Sequence, residues 1–321
     1  MSEHKCPVCG NFQDIFALCE VNGFSVYGCK ACGADHVFPS PGSESLKAYY
    51  DRPEWFEGGE PGGYKNYDQQ TEWSVDAIKP VLDEFGEAQG LSVLDIGCGY
   101  GTHLELAASL GWKCFGVEVS AHARQVAQER LAGKAYIVES VADLIPHEFD
   151  LVIMLDVIEH LPSPYTLFYS LFSIGAITPK TRIVISTPNA GSDEARQNPA
   201  AWIYRHPPSH LTYYSADALR ILLEKLHFSN IEVQGAHLLQ STQLDTNDIA
   251  AYGGLLATAK GSDFTEFMRE RFVPGTWSKL AEYEIFRGMS CPRPWPMESP
   301  CWILVAVLVM GRPSCRRWRK R

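Results

Sequence analysis

LSVLDIGCGYGTHLELAASLG, residues 91–111, is the stretch on which the reading of this chain turns. Leu91, Val93, Leu94 and Ile96 read as a short buried strand, which Gly97, Gly99 and Gly101 then stop. Glycines suit a sharp turn where the backbone approaches a ligand without a Cβ in the way. Leu104 to Leu110 reads as the helix that follows, its N-terminus facing whatever is bound. A second strand, Cys114 to Val117, ends in Glu118, about 20 residues beyond the loop, where an acid in a doubly wound fold accepts hydrogen bonds from ribose hydroxyls.

The spacing separates two classes of nucleoside ligand. Dinucleotide sites use G-x-G-x-x-G and leave the helix dipole to a pyrophosphate. Here the order is Asp95-Ile96-Gly97-Cys98-Gly99-Tyr100-Gly101, with a carboxylate ahead of the first glycine. That arrangement suits a cationic amino group and a sulfonium better than a phosphate, and it disfavours a nicotinamide oxidoreductase.

Outward from this loop the pattern alternates. Strands are expected at Leu91–Ile96, Lys113–Val117, Ala135–Val138, Phe149–Leu155 and Arg182–Ser186, and helices near 101–110, 120–131, 163–175 and 215–227. Such alternation implies a mostly parallel sheet covered on both faces. Ile231–Leu239 and Trp302–Met310 supply two late strands, the second expected to insert antiparallel beside the first and complete a seven-stranded, doubly wound α/β sheet. The stretch 241–299 between them reads as a cap insertion with amphipathic segments at Asp263–Phe272 and Trp277–Phe286. The divisions expected are 1–42, a linker at 43–66 with a short helix at Glu44–Tyr50 and a Gly/Pro-rich linker or mobile loop from Pro53 to Gly63, a core at 67–240, the cap at 241–299, the last strand at 300–311 and a basic tail at 312–321.

The first division carries Cys6-Pro7-Val8-Cys9-Gly10 and Cys29-Lys30-Ala31-Cys32-Gly33. Each C-x-x-C-G knuckle aims two thiolates at one point, so Cys6, Cys9, Cys29 and Cys32 make the closed tetrahedral set of a structural zinc ribbon. A hairpin is expected between the knuckles, turning at Asn22-Gly23. His36 reads as a spare polar residue.

With 321 residues, 45% apolar and 21% charged, the chain can build a full core. Its start lacks the pattern of a secretory leader, and its longest apolar run, Trp302 to Met310, is about half of what a spanning helix needs, so a cytoplasmic protein is expected. Ten cysteines then speak for thiols and metal sites rather than disulfides. A net charge of −10 argues against a general nucleic-acid surface. The basic end, Arg312, Arg316, Arg317, Arg319, Lys320 and Arg321, reads first as a solvated terminus and second as a membrane-surface contact. Oligomeric state leaves no mark on the sequence.

Taken in order, LDIGCGYG, VEVS and EFDLVIMLDVIEHLPSP resemble three motifs of the class I methyltransferases, over about residues 65–239. The resemblance implies S-adenosylmethionine as cofactor. Asp95 and the backbone at Gly97, Cys98 and Gly99 would hold its methionine part, Glu118 and Val119 the ribose, Ser140 and Val141 the adenine, with Asp156 where cofactor and acceptor meet. CPVCG…CKACG…FPSP ahead of such a core is similar to bacterial methyltransferases of glycan and secondary-metabolite pathways, implying a small-molecule or carbohydrate-linked acceptor methylated on oxygen or carbon. Zinc-bearing RNA methyltransferases and a non-catalytic nucleoside-binding recruitment module are the alternatives.

Two histidines are candidate bases, since an acceptor hydroxyl or acidic carbon must lose a proton. His160 stands in Ile158-Glu159-His160-Leu161, in a hydrogen-bonding or a catalytic role. His210 stands in Pro208-Ser209-His210-Leu211-Thr212-Tyr213-Tyr214-Ser215, which resembles a stretch of methyltransferases acting on sugars and quinone precursors. His210 is the favoured base or acceptor-orienting group, Ser215 reads as the N-cap of the next helix, and Arg205, His206, Tyr213 and Tyr214 are further candidates for substrate contact.

Overall fold

The computed structural model describes residues 4–58, 63–145, 147–236, 249 and 253–261. Three short strands open the chain: β1 (Ile15–Val21), β2 (Phe24–Cys29) and β3 (Asp35–Val37). The β1–β2 hairpin turns at Asn22 and Gly23, both at positive φ (53° and 79°), as the Asn-Gly pair requires of a tight hairpin turn. Helices α1 (Ser43–Tyr50) and α2 (Glu54–Glu57) follow, then the long α3 (Tyr67–Asp83).

The main layer begins with β4 (Ser92–Ile96) and runs through α4 (Thr102–Ser109), β5 (Lys113–Val117), α5 (Ala121–Leu131), β6 (Ala135–Val138), β7 (Leu151–Leu155), α6 (Pro164–Ser173) and β8 (Arg182–Pro188). It closes with α7 (Asp193–Gln197), β9 (Thr212–Tyr213), α8 (Ala216–Lys225), β10 (Ser229–Ala236) and β11 (Gly254–Lys260). Seven strands form one sheet in the order β10-β11-β8-β7-β4-β5-β6. The five from β8 to β6 pair in parallel, and β11 pairs antiparallel with both β8 and β10. This is the Rossmann-like architecture of class I methyltransferases.

Successive residues of the central strands alternate between two apolar layers. In β7, Val152 and Met154 join the layer built with Phe168, Leu171 and Phe172 of α6 and Leu219, Leu222 and Leu223 of α8. Leu151, Ile153 and Leu155 join the opposite layer with Ile78 and Leu82 of α3 and Leu104 and Ala107 of α4. Burial on both faces is why these strands read as continuous apolar runs.

One expectation is corrected. Among the described residues the strand antiparallel to β10 is Gly254–Lys260, paired from Ala236↔Gly254 to Glu232↔Thr258 and, past an irregularity, at Ser229↔Lys260, so this segment takes the place beside β10 that was expected for Trp302–Met310. Leu255, Ala257 and Ala259 are at most 2% exposed, so this short segment fills the position fully. It therefore belongs to the sheet and not to the expected 241–299 cap. Trp302–Met310, the segments Asp263–Phe272 and Trp277–Phe286, and the basic tail lie outside the described residues.

Helix α1 falls on the helix expected at Glu44–Tyr50, while the Gly/Pro-rich stretch after it is more than a linker. Trp55 and Phe56 are 5% and 6% exposed, packed with Tyr67 and Ala123 and flanked by Tyr49, Tyr50, Tyr64 and Tyr100. Aromatic area is enough to pin a Gly/Pro-rich segment to the core. Among the described residues no helix is long and apolar enough to cross a membrane.

Candidate active site

The glycine loop leaves β4 at the carboxyl end of the sheet, the edge where open α/β folds bind ligands. Gly97, Gly99 and Gly101 all have positive φ (71°, 50° and 80°), which L side chains rarely adopt. A Cβ on Gly97 would stand 2.6 Å from Val157 Cγ2, and one on Gly99 would overlap the Tyr67 hydroxyl. Cys98 is fully buried with its sulfur turned back toward Gly116, so only its backbone remains for a ligand.

Glu118 meets this loop directly. Its Oε2 accepts from the Gly99 amide at 2.9 Å and its Oε1 from the Ser120 amide at 2.8 Å. Burial raises its pKa above the usual carboxylate value, while the two amides pull it back. Val119 beside it is half-exposed. Ser140 caps a single turn, with Asp143 Oδ2 accepting from its amide and hydroxyl at 3.2 and 3.0 Å, and Val141 is 7% exposed. Asp95 lies deeper, 1% exposed, and its Oδ2 is 3.2 Å from His103 Nδ1. The carboxylate's observed partner is thus His103, whose Nε2 lies 2.7 Å from Ser74 Oγ on α3.

Asp156 ends β7 at φ +54°, a left-handed conformation uncommon for a side chain other than glycine and a mark of functional strain. Ser186 Oγ of β8 donates to its Oδ1 at 2.9 Å. Desolvation raises this carboxyl to about 6. One turn on, Glu159 is 1% exposed and neither of its oxygens has a hydrogen-bond partner. Burial first, and the neighbouring Asp156 second, push it well above the ordinary glutamate range, so it keeps its proton. The sequence reading passed over Glu159, since a glutamate beside a histidine looks the same whether exposed or buried.

His160 and His210 come together, ring centroids 4.7 Å apart. His210 Nδ1 is 2.7 Å from the Tyr204 carbonyl oxygen, and His160 Nδ1 is 2.8 Å from that of Ser209. A carbonyl only accepts, so each Nδ1 carries the proton and each Nε2 the lone pair. Burial lowers both pKa values, His160 to about 4 and His210 well below the ordinary histidine value, which keeps both rings neutral. The Tyr50 hydroxyl donates to the Ser209 carbonyl at 2.7 Å and sits 2.9 Å from His160 Nδ1. Ligand atoms of Glu159, His160 and His210 all lie within 4.8 Å of one another, a set that can receive a cation or several donor hydrogens.

The other residues expected at the acceptor point elsewhere. Arg205, Tyr213 and Tyr214 are 3%, 1% and 0% exposed. Arg205 Nη2 pairs with Asp35 Oδ2 of β3 at 2.7 Å, and its guanidinium stands 4.5 Å from the Tyr213 ring centroid. They join the loop to the N-terminal sheet instead of facing the pocket, because β9 pairs with β3 as that sheet's fourth strand. His206 stays beside His210, its ring centroid 5.0 Å away, while Tyr213 reaches the His210 backbone and not its ring nitrogens, its hydroxyl donating to the His210 carbonyl at 2.9 Å. Ser215 caps α8 as expected, accepting from the Ala218 amide at 3.2 Å.

Cys6, Cys9, Cys29 and Cys32 converge, with Cys6–Cys32 and Cys9–Cys29 sulfurs each 3.6 Å apart. A tetrahedral shell with Zn–S of about 2.3 Å spaces its sulfurs about 3.8 Å apart, so the four thiols fit that ion. The amides of Gly10 and Gly33 close the knuckles on the Cys6 and Cys29 carbonyls at 2.9 and 2.8 Å. His36, far from a spare surface group, is 2% exposed with Nε2 2.9 Å from His4 Nε2.

A parallel α/β sheet with a glycine loop, a ribose-type acid and buried side chains along one edge defines a nucleoside-binding enzyme scaffold. Residues 67–233 match the family described as methyltransferase domain, and the chain belongs to that family. Among curated proteins it is similar to the ubiquinone biosynthesis O-methyltransferase of Pseudomonas fluorescens (strain SBW25), 27% identical over 150 residues that cover 43% of this chain and 61% of that protein. It is also similar to the mitochondrial ubiquinone biosynthesis O-methyltransferase of Schizosaccharomyces pombe, 32% identical over 134 residues, 39% of this chain and 48% of the other. The chain thus spans about three fifths or less of the length of these relatives. A solved structure of magnesium protoporphyrin IX methyltransferase from Synechocystis PCC 6803 with bound SAH is 19% identical at a TM-score of 0.48, covering 68% of this chain and 99% of that one.

Proposed function

We propose that this chain transfers a methyl group from S-adenosylmethionine to an oxygen or carbon of a small metabolite or carbohydrate-linked acceptor. The observation that carries the reading is the closure of Glu118 on the Gly99 amide, with Asp156 and the His160–His210 pair on the same sheet edge. The cofactor supplies a methyl group already activated on a cationic sulfur. Glu118 is set to take the ribose hydroxyls, the backbone of Gly97 to Gly99 the methionine end, and Ser140 and Val141 the adenine. Membership of the methyltransferase family supports methyl transfer, and the similarity to two O-methyltransferases favours a hydroxyl as its target.

The protein's work in such a displacement is alignment, exclusion of water and removal of one proton. His210 is neutral and 9% exposed, with its lone pair on Nε2, so it can accept that proton from an acceptor hydroxyl. His160 beside it and protonated Glu159 orient the acceptor. Trp55 and Phe56 of the 43–66 segment, packed against Tyr67 and Tyr64, keep water out. The four thiols hold a structural zinc ion, closed to substrate because the protein supplies every ligand.

Titration calorimetry with S-adenosylhomocysteine against NADH tests the cofactor; binding of NADH alone would refute the assignment. Labelled methyl donor and an acceptor panel then test His210→Gln, whose turnover should fall about 100-fold or more with S-adenosylhomocysteine affinity kept. Unchanged turnover would remove His210 from the chemistry.

A further inference from the structure

Nothing in methyl transfer requires the cysteine-bearing sheet, yet that sheet holds the His210 loop on both sides. Ahead of His210, the Tyr204 carbonyl receives its Nδ1–H, and the next residue is Arg205. Arg205 is almost fully buried, and its Nε and Nη1 have no hydrogen-bond partner. Its charge is answered by Asp35 of β3 at 2.7 Å and by the faces of Trp202 and Tyr213, 5.4 and 4.5 Å from the guanidinium. After His210, the Val37 amide of β3 donates to the Leu211 carbonyl at 2.8 Å, and His36 and Asp35 pair with Thr212 and Tyr213. The Tyr213 hydroxyl, beside Arg205, donates to the carbonyl of His210 itself at 2.9 Å.

We propose that Asp35, in the four-cysteine ribbon, is a positioning residue for His210, acting through Arg205. A buried guanidinium with one carboxylate partner stays put only while that carboxylate is present, since losing it strands a charge out of water. Arg205 in turn fixes the adjacent Tyr204 carbonyl, and that carbonyl fixes which ring nitrogen of His210 bears the proton. The lone pair on Nε2 is thereby set by a residue on a different sheet, 175 positions earlier in the chain. What that lone pair does rests on the methyltransferase reading; its being set by Asp35 does not.

The experiment uses the full zinc-bound chain labelled with [15N]histidine, its ring tautomers read by two-bond proton–nitrogen correlation. His210 is assigned by the signal lost in His210→Gln, and His103, held at Asp95 in the other half of the sheet, is the internal control. The parent should show His210 predominantly in the Nδ1–H form, with a small measurable Nε2–H fraction. Asp35→Asn should raise the Nε2–H form about fivefold to tenfold, as expected when one hydrogen bond's preference is released, with His103 unmoved. A His210 pattern identical to the parent's overturns the proposal. If His103 moves too, the Asp35→Leu/Arg205→Met double variant, which removes both charges together, decides: a mixed His210 tautomer supports the proposal and a single one overturns it. Titrating the parent with S-adenosylhomocysteine separates the two readings, since failure to bind would sink the enzyme assignment and leave the Asp35 dependence standing.

Discussion

Glycine 99 is where one residue carries most. At φ +50°, with a Cβ that would overlap the Tyr67 hydroxyl, alanine meets both backbone strain and a buried neighbour. Gly99→Ala should cost about 2–4 kcal/mol in urea unfolding and abolish measurable S-adenosylhomocysteine binding. Full stability would mean that the loop does not need its glycine. His36 gives a pH signature of its own. Burial, with a smaller push from His4, lowers its pKa to about 4. The unfolded chain therefore binds this proton more tightly, and the contribution of His36, complete above about pH 6.5, is lost as pH falls toward 4. His36→Gln should lose less of its thermal midpoint than the parent between pH 6.5 and 4; equal losses would place His36 in solvent. Glu159 shows the other side of residue-level reading. Its letter was legible, but its isolation was not, because burial is a property of the fold around it.

Among the strands of the main sheet, β11 is the one that the pattern of the sequence did not point to. Trp302–Met310 is longer and more apolar than Gly254–Lys260, so a pattern search prefers it, yet backbone pairing along β8 and β10 gives the place to the shorter segment. Leu255 is fully buried between α8 and the sheet, so Leu255→Ala should cost about 2–5 kcal/mol in denaturant unfolding. A near-neutral change would return the position to another strand. The α1–α2 segment is held by its rings and hardly at all by its exposed ion pair Lys47–Glu139. Phe56→Ala, which removes the ring stacked 5.2 Å from Tyr100, should cost about 3 kcal/mol or more and weaken S-adenosylhomocysteine binding. Lys47→Ala should leave both nearly unchanged. Six aromatic rings within twenty positions were visible all along, but Gly and Pro between them drew the reading toward a linker.

At the scale of the molecule the ribbon is part of the core. Cys6, Val8, Cys29 and Cys32 lie in the same apolar layer as α6 and α8, and the Tyr165 hydroxyl of α6 donates to the Val8 carbonyl at 2.6 Å. With zinc in the proposed four-thiol site, its removal by a chelator should therefore lower the unfolding temperature of the whole chain in a single calorimetric transition. Two transitions, with the upper one unmoved, would describe an independent lobe instead. The alternation of the longer strands and helices from Ser92 to Lys225, though not α7 or β9, the glycine loop with Glu118, and the four-cysteine set were legible in the sequence because each rests on local periodicity or short spacing. Which segment completes the sheet, which strand the ribbon borrows, and what orients His210 were decided only by tertiary structure. Those outcomes depend on contacts between distant residues, such as Asp35 with Arg205, and such contacts leave no period to read in the chain.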